Sequence, residues 1–133
     1  MRSSRFAAIA AALLLNTVPT LAATPQEIAH CEGRGSSPEL KIAGCTAVIE
    51  SGDFSGHDLA VAYHNRGGAY ADKKDFVRAI HDYDEAIQID PSYAHAYVAR
   101  AQAYARIGQY DRASEDFGEG VQLSRSAAKF FRI

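Results

Sequence analysis

The chain has no tryptophan, only 2 cysteines and no excess of either charge, with 14 Lys and Arg against 16 Asp and Glu. Two cysteines exclude a disulfide-dense scaffold and leave room for one bridge. A net charge of −2 and a pI near 6.2 exclude the long-range field that recruits nucleic acid or acidic lipid. The apolar run at residues 6–15 is 10 residues long, far short of the ~20 that span a bilayer. No P-loop, dinucleotide fingerprint, Gly-x-Ser-x-Gly, His-x-x-x-His or Cys-x-x-Cys occurs. What is present suits one compact domain: 133 residues, 47% hydrophobic and 23% charged, a balance that excludes disorder and collagen-like or mucin-like chains.

Residues 1–23 read as an address. Arg2 and Arg5 form a positive start, residues 6–15 an apolar stretch, and Asn16 to Thr20 end it before Leu21-Ala22-Ala23. This is the layout of a secretory signal peptide, cut after Ala22 or Ala23. Cys31 follows Ile28-Ala29-His30, which is not a lipidation box, so no stable membrane anchor is expected after cleavage. Losing Arg2 and Arg5 leaves 12 basic against 16 acidic residues, a net charge of −4.

The second half repeats itself at a spacing of 34 residues. That offset aligns Tyr63 with Tyr97, Arg66 with Arg100, Gly67 with Ala101, Tyr70 with Tyr104, and Ala79 with Ala113. It also aligns Asp82 with Asp116, Tyr83 with Phe117, Glu85 with Glu119, Ile87 with Val121, and Ile89 with Leu123. Each copy reads as two helices. Tyr63, Gly67 and Tyr70 lie on one helical stripe, Asp72 to Asp75 make a polar turn, and Phe76, Ala79, Ile80, Tyr83, Ala86 and Ile87 continue the 3.6-residue period. Pro91 closes the unit. Small residues at 67, 79 and 86 let the two helices approach while Tyr70 and Tyr83 fill the space beside them.

This pattern resembles the tetratricopeptide repeat, with Tyr63, Arg66-Gly67, Tyr70, Ala79, Tyr83, Ala86 and Pro91 at its signature positions. The run Asn65-Arg66-Gly67 is similar to a bacterial variety. The second copy follows with Tyr97, Arg100-Ala101, Tyr104, Ala113 and Phe117, then departs at Gly120 and at Arg125, where proline is usual. Arg66 and Arg100 replace the usual leucine and should face Asp82 and Asp116, each pair bracing its own hairpin. Partly exposed pairs of this kind are worth about 0.2–1 kcal/mol. An anion-binding role for the arginines is the alternative.

A further shift by 34 places Gly33 under Gly67, Cys45 under Ala79 and Ile49 under Tyr83, so residues 25–52 resemble a degenerate helical pair. Pro25 suits a helix start, and Ser37-Pro38-Glu39 supplies a cap and a first-turn proline. Leu40 to Ile49 is apolar, and residues 33–36 are the turn. Cys31 and Cys45 sit one on each helix near that turn. In an exported chain a disulfide is expected, closing a loop of 15 residues and worth about 3 kcal/mol. A redox pair or a metal site are the other uses of two cysteines.

The implied fold is all-α: an α-solenoid of three antiparallel helical hairpins, two repeat units plus the degenerate N-terminal pair, with a short C-terminal capping helix. The segments are 1–23 signal peptide, 24–56 degenerate hairpin with the disulfide, and 57–133 two units (60–91 and 94–125) plus a capping segment. Residues 126–133, with Phe130 and Phe131, are expected to fold over the last repeat, or else to form an exposed adhesive tail.

Chemistry-bearing constellations are thin. His30, His57, His64, His81 and His95 form no metal-ligand spacing, the acidic clusters read as solvated helix faces, and no catalytic, cofactor-binding or metal set is assigned. The resemblance instead implies a groove lined by the first helix of each repeat. It points to Val61, His64, Asn65, Gly68, Ala71 and Asp72, then to Ser92, Tyr93, His95, Val98, Ala99, Gln102, Ala105 and Arg106. Asn65 stands where some members hold a peptide's backbone or carboxylate; the accompanying lysine and asparagine are here His64 and Gly68. The resemblance implies a non-enzymatic, exported, periplasmic module that binds a protein or peptide partner, with no nucleic acid. The alternative is an enzyme or regulator acting on envelope polymers through His64 and Asp72. A self-assembling array is the third reading.

Overall fold

The computed structural model describes residues 21–33 and 35–130. The expected signal peptide lies outside them except for its last three residues, as does Phe131. Among the described residues six helices follow one another: α1 (Pro25–Cys31), α2 (Pro38–Ser51), α3 (Gly56–Asp72), α4 (Phe76–Ile89), α5 (Ala94–Arg106) and α6 (Tyr110–Phe130). They pair as the antiparallel hairpins α1–α2, α3–α4 and α5–α6, and each hairpin packs on the next in line. Among the described residues no helix is long and apolar enough to cross a membrane.

The helix ends follow local chemistry. The Thr24 hydroxyl accepts from the Glu27 amide while the Glu27 carboxylate accepts from the Thr24 amide at 2.8 Å, a reciprocal cap that starts α1. Ser37 caps α2 ahead of Pro38, and Gly52, at φ 74°, ends it in the left-handed region that glycine tolerates. Asp75 caps α4 through the Arg78 amide. Asp90-Pro91 terminates α4, as the sequence pattern requires.

The core lies in the seams between hairpins and is built mostly of alanine. Ala62 of α3 packs with Cys31, Cys45 and Val48; Ala60, Ala86 and Ala96 meet where α3, α4 and α5 converge; Ala79 and Tyr83 receive Ala103. A Cβ on Gly67 would come within 2.7 Å of the Tyr83 ring, and one on Gly44 within 2.5 Å of the Glu27 carbonyl, so both hairpins close on a bare backbone. The Cys31–Cys45 disulfide joins α1 to α2 beside the second of these close approaches, that of Gly44 to Glu27.

Both expected arginine pairs are present, and each does more than brace its own hairpin. Arg66 binds Asp82 through two parallel hydrogen bonds of 2.8 Å, and its remaining Nη1 donates to Thr46 Oγ1 of the preceding hairpin at 3.1 Å. Arg100 repeats this with two bonds of 2.7 Å to Asp116 and one of 2.7 Å back to Asp84. Asp82 is only 2% exposed while the Arg66 side chain keeps 17%, so the pair is more deeply buried at its carboxylate than the sequence suggested. Its two bonds to Asp82 hold the Arg66 guanidinium more firmly in its charged form, against the opposing effect of burial.

The described part of the C-terminal segment, residues 126–130, differs from expectation. It is helical, but as the unbroken continuation of the 21-residue α6 and not as a separate closing helix. Arg125 stands where the unit's proline would have stopped the helix, and Ser126-Ala127-Ala128-Lys129 contains no breaker. Phe130 is 84% exposed.

Removing Arg66 strands a buried carboxylate. Arg66→Leu should cost about 3 kcal/mol or more by urea denaturation, and adding Asp82→Ala should recover part of that loss. A single-variant cost below about 1 kcal/mol would place the pair among surface contacts instead.

Candidate functional site

The side of α3 from Asp58 to Asp72 has α1 beside its N-terminal half and α5 along its length. At the α1 end, Ile28, Val48, Phe54, Val61 and Ala62 enclose an apolar hollow of about 280 Å³ with Asp58 and Asn65 on its wall. At the C-terminal end, Asp72, Gln102 and Arg106 ring a smaller hollow of about 190 Å³ floored by Phe76, Tyr83, Ala99 and Ala103. Arg106 lies 5.1 Å from the Phe76 ring centre, within cation–π range.

Between them lies a floor of rings. Tyr93, where the chain enters α5, is the hub, with ring centres 4.9 Å from His57, 5.2 Å from His64 and 6.0 Å from His95. His64 also lies 5.7 Å from Tyr83. Gly68 leaves the surface open above this floor, since even a Cβ there would be 3.9 Å from the Tyr83 hydroxyl. Burial and nearby carboxylates push the Tyr83 phenol up to about 12, so it stays a neutral donor.

The structure thus gathers His64, Gly68, Asp72, Tyr93, His95, Gln102 and Arg106 along one open face. Two expected groove residues are otherwise engaged. The Asn65 amide donates to the Cys31 carbonyl at 3.1 Å, completing the C-terminal end of α1. Val98 turns into the α5–α6 seam, where it packs against Gly120. Conversely, His57 and Phe76 contribute surface that the first-helix rule omitted, and the buried Tyr83 ring supports that surface from beneath. Phe76 and Tyr83 belong to the second helix of the unit, and the small residues opposite them were the available signal. His57 is held by Asp90 at 2.6 Å.

His64 and Asp72 stand eight positions apart on α3, about 12 Å along the axis, and do not form an acid–base pair. Among the described residues no group of three or more His, Cys, Asp or Glu is arranged to hold a metal. What the face offers is shape, aromatic surface and scattered hydrogen-bonding groups.

Residues 60–93 match one tetratricopeptide-repeat model and residues 82–113 match a second. The chain therefore carries tetratricopeptide repeats over these residues. Among solved structures it is similar to the second TPR of Spaghetti (RPAP3) bound to the HSP90 peptide SRMEEVD, at 25% identity and TM-score 0.64, covering 74% of this chain and 93% of that one. It is also similar to MamA, at 23% identity and TM-score 0.65, covering 77% of this chain and 57% of that one. The second likeness is one of fold, and this chain spans little more than half of MamA. No curated protein matches the chain by sequence.

Burial lowers the pKa of His64, and the nearby His95 acts in the same direction, while the contact with Asn65 opposes them. With the folded pKa below the unfolded value near 6.5, the neutral ring's contribution is intact above that pH. It is lost as pH falls through 6.5 toward the folded value. His64→Phe should therefore lose less stability than the parent between pH 7 and 5 in parallel denaturation series; identical slopes would mean that His64 stays solvated.

Proposed function

We propose that the chain is a protein-binding module that holds an extended segment of a partner along the α3–α5 face, without catalysing a reaction. The observation that carries this reading is the partly exposed pair of rings His64 and Tyr93, backed by the buried Tyr83 ring and flanked on the same face by two hollows of side-chain size. Aromatic floors of this kind supply large contact area at low conformational cost. The peptide-bound neighbour supports the same use of the fold. An apolar side chain of the partner seats on the rings, and a basic one reaches Asp58 or Asp72. A C-terminal carboxylate is disfavoured, because the Asn65 amide already serves the Cys31 carbonyl and His64 and Gly68 replace the accompanying lysine and asparagine.

The module acts outside the cytoplasm, as an adaptor or assembly factor of an envelope complex in the periplasm. The composition of residues 1–23 supports export, and so does the Cys31–Cys45 bridge, since such bonds persist in oxidising compartments. Protein recovered from its native cells should begin at Ala23 or Thr24 and show no free thiol; an intact leader with two titratable thiols would refute export.

Fluorescence anisotropy against a library of extended peptides tests the groove. Peptides with an aromatic or aliphatic anchor and a basic neighbour should bind, and Gly68→Arg should weaken them roughly tenfold without lowering Tm; Tyr93→Ala should weaken them as much, with some loss of stability because Tyr93 packs on Ala60, Ala86 and Ala96. The acidic peptide SRMEEVD should bind at least as weakly as those variants. Hits indifferent to both substitutions would sink the assignment.

A further inference from the structure

The last hairpin presents, uncovered, a copy of a face that is filled inside the chain. On the second hairpin, Ala71, Phe76, Ala79 and Tyr83 receive Ala99 and Ala103 of α5, and Tyr83 is left 4% exposed. The corresponding residues 34 positions on are Ala105, Tyr110, Ala113 and Phe117. Among the described residues no helix lies against them: Phe117 is 56% exposed and Tyr110 70%. Ala105, Ala113 and Phe117, with Ser114, line a shallow apolar depression of about 310 Å³ between α5 and α6.

We propose that a second copy of this chain covers this face, with α6 of one copy antiparallel to α6 of the other about a two-fold axis. The charge pattern of the helix argues for that occupant. Tyr110, Ser114, Phe117, Val121 and Ala128 fall within about 60° on a helical projection. Along one flank of this stripe lie the exposed acids Asp111 and Glu115 in the N-terminal half and the exposed bases Arg125 and Lys129 in the C-terminal half. An antiparallel pairing that sets Asp111 opposite Lys129 of the second copy also sets Glu115 opposite Arg125, because both pairs centre on residue 120. The two-fold axis then generates each contact twice, as an isologous interface requires. A parallel pairing would instead set this charged flank against the opposite flank, where Ala113, Gly120, Ser124 and Ala127 carry no charge. On the same flank Gly118 interrupts an exposed helix where a Cβ would meet nothing within 4 Å. Glycine weakens a helix; here it lets a second backbone approach. Gln102 lines both this depression and the hollow beside α5, so a dimer formed through this face adjoins the α3–α5 groove of each copy.

Sedimentation equilibrium of the full chain tests this. The parent should dimerise, and Phe117→Asp should raise the dissociation constant by at least roughly tenfold while leaving helicity unchanged and, at dilutions where both are monomeric, thermal melting close to the parent's, because the side chain is mostly exposed. Glu115→Arg and Arg125→Glu, each alone, should also weaken self-association, and an equimolar mixture of the two should recover a heterodimer. A chain that stays monomeric up to about 1 mM, a dimer indifferent to Phe117→Asp, or a mixture that associates no better than either variant would each overturn the proposal. In the first of these cases the face is left to another protein or to the chain's own terminus.

Discussion

A carboxylate sealed among hydrophobic neighbours must be paired, and Asp82, 2% exposed, is the constraint around which this stack is arranged. Arg66 meets it with two parallel hydrogen bonds and spends its third donor group on the preceding hairpin. Arg100 does the same for Asp116 and Asp84. A lysine, with a single compact charge, does not reproduce this planar fork. Each guanidinium therefore sets the register of three helices together. Fixing α3 against α4 is what turns His64, Gly68 and Asp72 to the open side.

The first hairpin reaches the same geometry by other means. A seven-residue helix has little stability of its own. The reciprocal Thr24–Glu27 cap satisfies its start, the disulfide pins its end to α2, and the Asn65 amide takes up one of its last carbonyls. The hollow between α1 and α3 exists because this short element is held at both ends. Its wall is thus a product of covalent closure, whereas the hollow beside α5 is a product of helix packing alone.

The repeat spacing made the hairpins and the Arg66–Asp82 and Arg100–Asp116 pairs legible in the sequence, because one 34-residue shift superposes charge partners as well as tyrosines and alanines. The outer links to Thr46 and Asp84 were not legible. These two residues occupy different positions in their respective units, so no shift aligns them. The groove was only partly legible. Helical periodicity places a residue on a face but does not say which of two neighbours claims it, and so Val98 went to the α5–α6 seam and Asn65 to the end of α1. The ring floor needed the tertiary fold, since Tyr93 lies outside the regular part of its unit and gathers histidines from two helices. The end of α6 was misjudged because the family pattern supplies a proline that Arg125 replaces.

The alanine-lined seams also govern how the molecule responds to temperature. The largest side chains sealed off completely are Asp82 and Cys45, and the remaining sealed positions are held chiefly by alanine. Opening such seams hydrates alanine methyls together with bulky groups such as Tyr63, Phe76, Ile80 and Ile87 that are already partly exposed, which keeps the heat-capacity increment below the ~12–15 cal/mol/K per residue of ordinary domains. A small increment flattens the dome of free energy against temperature, so cooling and warming erode this assembly gently, where a leucine-filled core of equal length would hold a sharper optimum.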